Sequence, residues 1–189
     1  MKYAQKFELR CYEQLKEYFK LRAAECNDTQ VAVYIISDVP QEITDLFNNE
    51  MAERGLPNTS YLWMLFKKKW CYVEDHRLTH VDTLTNVCKV SIVLPIEGCE
   101  GTHMYWCEGD YTLSQTQDSA CDYGIPIWAD DTKVTVAHRE FINSPTICRV
   151  DVPHDTISNT DHSYRIVITT RFVGHPSFDE VCEKLGVKE

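Results

Sequence analysis

The chain has 189 residues and a formal net charge of −10, from 29 Asp and Glu against 19 Lys and Arg. That length suits one domain able to bury its own core, and an apolar share of 43% with 11% aromatics excludes a disordered or fibrous composition. The acidic balance disfavours binding a phosphate backbone through the overall field, and the single basic run, Lys67–Lys69, reads as solvated surface.

The first segment, KYAQKFELRCYEQLKEYFKLRAAEC, reads as a helix, because Phe7, Cys11, Leu15 and Tyr18 recur at three- and four-residue steps. VAVYIIS is a short β-branched run and hence a strand. A second helix follows, with Asp38 as N-cap, Pro40 in its first turn, a stripe of Ile43, Leu46, Phe47 and Met51, and Gly55 with Pro57 at its end. After Asn58 the texture changes to strands separated by turns. SYLWMLFKKKWCYVE, RLTHVDTL, VCKVSIVLPIE, THMYWCE, TKVTVAHREFI, TICRVDVPHDTI and YRIVITTRFVG are the β stretches, with Gly98, Gly101 and Gly109 at turns. The tail SFDEVCEKLGVKE is one last helix, with Ser177 as N-cap and Glu180 in the capping-box position. At least six short strands at roughly regular spacing indicate a mainly β (α+β) fold of the jelly-roll kind. Residues 1–189 form a single domain in this reading: N-terminal support over 1–58, a β core over 59–175 and a C-terminal helix over 176–189.

Nine cysteines occur, and no two are spaced as C-x-x-C. The number is odd, and Met1 leads directly into a charged amphipathic segment. The expectation is reduced thiols in a cytoplasmic, reducing compartment rather than a disulfide framework. No apolar run reaches the ~18 residues of a membrane span. Cys99, Cys107 and Cys121 with His103 lack the paired knuckles of a zinc site.

RLTHVDTLTN contains His80-x-Asp82. Alone the triplet is weak: with seven His and 14 Asp in the chain, about half an occurrence is expected by chance. Its company lies 72 residues beyond Asp82, in RVDVPHDTISNTDHSYRIVITTRF. There His154 ends a β run behind Pro153, and Arg165 opens the next strand eleven residues later. Residues i and i+2 of a strand share a face, so His80 and Asp82 can meet one ion from one strand end. On the last strand Arg165, Val167, Thr169 and Arg171 share one face, and Ile166, Ile168, Thr170 and Phe172 share the other.

This order resembles the iron(II)/2-oxoglutarate-dependent oxygenases, whose mark is HxD, a set of strands, a distal His, and an Arg some ten residues beyond it. VSIVLPIEGCEGTHMYW is similar to the strand-turn-strand that follows HxD in small members from phage and bacterial genomes. VDVPHDTISN with YRIVITTRF is similar to their distal-His hairpin. The resemblance covers roughly residues 60 to 173. It implies a double-stranded β-helix, a cupin-like jelly roll with N-terminal supporting helices and a short C-terminal helix. It implies Fe(II) held by His80, Asp82 and His154, with no catalytic residue beyond the metal ligands. Two imidazoles and a carboxylate on one face of Fe(II) leave three positions open. It implies 2-oxoglutarate as cosubstrate, with Arg165 taking the far carboxylate as a bidentate partner. The implied activity is a dioxygenase, a hydroxylase that uses O2 and releases succinate and CO2. Where the family often places a Ser two residues after that Arg, this chain has Val167. Thr169, Tyr72 or Tyr105 would then supply the hydroxyl, and Arg171 competes for the anion role. The sequence does not name the substrate: a small molecule, a protein side chain and a nucleobase all stay open. Two rival readings are a non-catalytic binding module of the same fold and a cupin-type metal enzyme that uses no 2-oxoglutarate.

Overall fold

The computed structural model describes residues 2–25, 33–36, 38–68, 74–82, 89–115, 124–158 and 164–187. In chain order these form β1 (Ala4–Lys6), α1 (Tyr12–Glu25), β2 (Val33–Ile36), α2 (Gln41–Glu53), β3 (Thr59–Lys68), β4 (Val90–Glu97), β5 (Thr102–Glu108), β6 (Tyr111–Gln115), β7 (Gly124–Trp128), β8 (Thr135–Phe141), β9 (Thr146–Arg149), β10 (His154–Ser158), β11 (Tyr164–Phe172) and α3 (Phe178–Lys184). Every strand pairing is antiparallel. Among the described residues no helix is long and apolar enough to cross a membrane.

Six strands form one sheet in the order β1-β9-β4-β11-β3-β2. Three more form a second sheet, β10-β5-β8, and β6 and β7 make a hairpin. Two isolated bridges, His80 to His154 and Val81 to Gly124, stitch that hairpin to the second sheet. The segment carrying His80 is therefore wedged between β7 and β10.

The six-stranded sheet is covered on both faces. On its outer face β4 presents Val90, Ile92, Leu94 and Ile96, and β11 presents Ile166, Ile168 and Phe172. These pack against Leu15 and Phe19 of α1, Phe47 and Met51 of α2, and Phe178 and Val181 of α3. On its inner face Val93, Cys148 and Val167 meet Met104 and Trp106 of the second sheet. Burial on both faces explains why VCKVSIVLPIE reads as a nearly continuous apolar run rather than an alternating one. Pro95 lies inside this central strand, where it cannot donate to a ladder. The β4–β11 register shifts between Ile166 and Val167, next to the Val167–Pro95 pair.

Four sequence expectations change. The N-terminal helix begins only at Tyr12. Before it, Phe7, Leu9 and Cys11 are buried while Glu8 and Arg10 are exposed, the period-two pattern of extended chain. Asp38 does not cap α2: Pro40 holds the cap position without a side-chain bond, and Asp38 pairs with Arg22. RLTHVDTL is not a ladder strand in its described part, but a 3-10 turn over His76–Leu78 followed by the two bridge residues. TICRVDVPHDTI splits into β9 and β10, which belong to different sheets. At the other end Ser177 does cap α3, accepting from the Glu180 amide at 3.2 Å.

The packing sets a stability contrast. Phe19 is fully buried between α1 and the sheet, whereas Leu21 is 67% exposed. Phe19→Ala is expected to lower unfolding stability by about 3–5 kcal/mol through lost burial and a residual cavity. Leu21→Ala should change it by no more than about 0.5 kcal/mol, both read from urea denaturation.

Candidate metal centre

His80, Asp82 and His154 meet at the edge of the second sheet. One ligand atom from each lies within 4.8 Å of the others. The backbone makes this meeting: His80 and His154 exchange both amide hydrogen bonds, at 2.9 and 3.0 Å, and the Asp82 amide donates to Val150 O at 3.0 Å. The His80 and His154 rings lie 4.5 Å apart between centroids. Asp82 Oδ1 sits 3.4 Å from His80 Nε2 and 3.8 Å from His154 Nε2.

Two of the three side chains, His154 and Asp82, are also held on the far side. His154 Nδ1 lies 2.9 Å from Val152 O. A carbonyl only accepts, so Nδ1 carries the proton and Nε2 turns a lone pair toward Asp82 and His80. Asp82 Oδ2 accepts from Arg171 Nη2 at 2.5 Å. One carboxylate oxygen therefore faces the imidazoles and the other faces a guanidinium. Burial opposes ionisation of Asp82, but the hydrogen bond from His80 and the charge of Arg171 are among the contacts that outweigh it, and the carboxyl stays well below its usual range. Burial, together with the neighbouring His80, pushes His154 down to about 4, so its imidazole is neutral at pH 7. A neutral imidazole and an ionised carboxylate are the forms that bind a metal. Two imidazole nitrogens and one carboxylate oxygen at this spacing fit a two-histidine, one-carboxylate metal site. The His80 side chain is 26% exposed against 4% for His154, so the centre opens past His80.

Arg165 lies on the inner face of β11 with Val167, Thr169 and Arg171. It is only 5% exposed, and among the described residues its Nε has no hydrogen-bond partner. Burial lowers its proton affinity, and the Cys99 thiol, Cys148 and Asp155 only partly offset that. A buried guanidinium in such surroundings fits a bound anion. Arg171 is engaged with the Asp82 carboxylate, which separates the two arginines the sequence left in competition. Val167 is buried core and offers no hydroxyl. Thr169 faces inward, but its Oγ1 is 2.8 Å from Ser91 Oγ. Tyr105 is placed away from Arg165: its ring packs with Cys107 and Ile157 on the outer face of the second sheet, and its hydroxyl donates to Asp75 O at 3.0 Å. Tyr72 lies outside the described residues.

Two other histidines, His103 and His138, have local partners. His103 Nε2 is 3.1 Å from Glu74, which also holds Arg139. His138 Nε2 is 3.7 Å from Glu140 and the ring stacks near Tyr3. One contact at the site had no spacing signal in the sequence: the Val152–His154 contact is made by a backbone carbonyl.

The Arg171–Asp82 contact has a measurable cost when broken. In metal-free protein, Arg171→Met leaves a buried carboxylate without its cation and should lower stability by about 1–3 kcal/mol. Adding Asp82→Asn to Arg171→Met should recover part of that loss, as read by urea denaturation in the presence of chelator.

No protein-family model matches the sequence, and no curated protein matches it. Among solved structures, the epimerase SnoN, in complex with Fe3+, alpha ketoglutarate and nogalamycin RO, superposes with a TM-score of 0.54 at 13% identity, over 89% of this chain and 77% of that one. A prolyl-4-hydroxylase from Pseudomonas putida matches with a TM-score of 0.45 at 14% identity, over 89% and 90% of the two chains. E. coli ycfD matches with a TM-score of 0.42 at 15% identity, over 78% of this chain and 35% of that one. The likeness to SnoN is one of fold: the chain has the β architecture of a protein that holds iron and alpha ketoglutarate.

Proposed function

We propose that the protein is an Fe(II)/2-oxoglutarate-dependent oxygenase, a hydroxylase built on a single-domain double-stranded β-helix. The observation that carries the reading is the convergence of His80, Asp82 and His154 next to a strand whose inner face buries Arg165. The fold likeness to SnoN supports it. His80 and His154 would hold iron through Nε2, and Asp82 through the oxygen that faces them. When bound, iron and 2-oxoglutarate supply the activation of O2, with release of succinate and CO2.

The chain's own residues do the rest. The Val152 carbonyl holds the His154 tautomer that leaves Nε2 free to ligate. Arg171 keeps Asp82 ionised and aims its other oxygen at the imidazoles. Arg165 draws the far carboxylate of the cosubstrate into a site from which water is largely excluded, where a charge-assisted bond is strong. The more exposed side of His80 gives the substrate its approach. That substrate is a small molecule or a protein side chain. The net charge of −10 disfavours a nucleic acid. The buried thiols, Cys11, Cys99, Cys107 and Cys148, fit a reducing, cytoplasmic setting.

The test is anaerobic. Fe(II) followed by 2-oxoglutarate should produce a weak visible charge-transfer band, absent in His80→Ala and His154→Ala. Arg165→Ala should still bind iron but require at least about 30-fold more 2-oxoglutarate, as expected for loss of one partner of a buried charge pair. Iron binding without the band at any 2-oxoglutarate concentration points instead to a cupin-type metal enzyme. Failure to bind metal points to a binding module.

A further inference from the structure

His80 and Asp82 are carried by a segment that starts on the far face of the second sheet. Trp106 and His154 pair on the inner face of that sheet, so His103 and Tyr105 of β5 and Arg139 of β8 point outward. Glu74, Asp75 and His76 lie against this outer face. The Glu74 carboxylate accepts two bonds from Arg139, Nε to Oε1 and Nη2 to Oε2, both at 2.5 Å, and its Oε1 lies 3.1 Å from His103 Nε2. The Tyr105 hydroxyl donates to Asp75 O at 3.0 Å and accepts from the Asp75 amide at 3.4 Å, so one hydroxyl serves both backbone groups of one residue. The Trp128 indole N–H donates to His76 O at 3.2 Å. The chain then makes its 3-10 turn, buries Thr79 completely and reaches β10, the edge strand of the sheet, where His80 exchanges amide bonds with His154. Residues 74–82 are therefore a strap. One end is pinned to the outer face, and the other delivers two metal ligands to His154.

The pins differ in strength. The Arg139 side chain is 52% exposed, and an ion pair open to water holds geometry weakly. Tyr105 is only 1% exposed, so its two bonds to Asp75 are shielded from competing water. A metal site needs its ligands held to within about 0.5 Å, and here His154 sits on the sheet while His80 and Asp82 sit on the strap. We infer that Tyr105 is a positioning residue for the metal centre: its hydroxyl fixes the strap at Asp75 and so sets where His80 and Asp82 meet His154. This rests on the metal reading of those three residues and not on the identity of any cosubstrate. Tyr105 faces away from the ligand side chains and acts through the backbone of the strap.

The test uses Co(II), whose visible bands report the number and arrangement of its ligands, titrated into metal-free protein under conditions where every variant is folded. Tyr105→Phe removes the hydroxyl and keeps the ring. It should weaken Co(II) binding about tenfold and alter the band shape. Val181→Ala, fully buried in the helix-covered core, is the control. It should lower the urea midpoint and leave the Co(II) affinity and spectrum as in wild type. Wild-type affinity and spectrum in Tyr105→Phe, or an equal loss of affinity in Val181→Ala, overturns the positioning role and leaves the metal centre intact. A wild-type protein that binds no Co(II), or binds it as well after His154→Ala, overturns the metal reading and the positioning role together.

Discussion

The Asp82 carboxylate is the constraint on which the rest of the site depends. It is 8% exposed and must stay ionised to be of use to a cation. Burial of a bare carboxylate is costly, so its neighbours have to supply compensation. Arg171 stands on one oxygen and His80 on the other, while the backbone amide is tied to Val150. Each of these partners comes from a different part of the chain. The bridge to β10 brings His154, and the far end of β11 brings Arg171. The local geometry of His80-x-Asp82 therefore exists only once both sheets have assembled.

The inner face of β11 divides labour by position. Arg171, near its C-terminal end, pairs with Asp82, and Arg165, near its start, is the buried guanidinium proposed to hold an anion. Between them Val167 packs against Met104 and Trp106 and closes the space to water. The outer face of the same strand carries Ile166, Ile168 and Phe172 into the helix-covered core. One strand therefore anchors the fold on one side and spaces two charges on the other. Low solvent access strengthens both charge interactions, and it also makes an unmatched guanidinium expensive.

Much of this was legible in the sequence, for identifiable reasons. Alternation along YRIVITTRF assigned the two faces of β11 correctly, because period two leaves no ambiguity once one buried residue is placed. The grouping of His80, Asp82 and His154 was legible because residue types and order restrict each other. Other features were not. Phe7, Cys11 and Leu15 satisfy a helical step, yet Phe7, Leu9 and Cys11 also satisfy an extended one, and packing under α2 and the sheet decided between them. In YTLSQ only Tyr111 and Leu113 alternate, too short a pattern to assign β6 by itself. Tyr105 and Trp106 are adjacent and could not be assigned to faces without the register, which pairs Trp106 with His154 and turns Tyr105 outward.

The most direct measurement is diffraction from crystals grown with Mn(II) and 2-oxoglutarate, collected at an energy where manganese scatters anomalously. The account predicts one anomalous peak bound by Nε2 of His80, Nε2 of His154 and one oxygen of Asp82. It places the far carboxylate of 2-oxoglutarate on Arg165, with Arg171 still on the other oxygen of Asp82. A metal bound elsewhere, or a cosubstrate whose far carboxylate lies on Arg171, would contradict it.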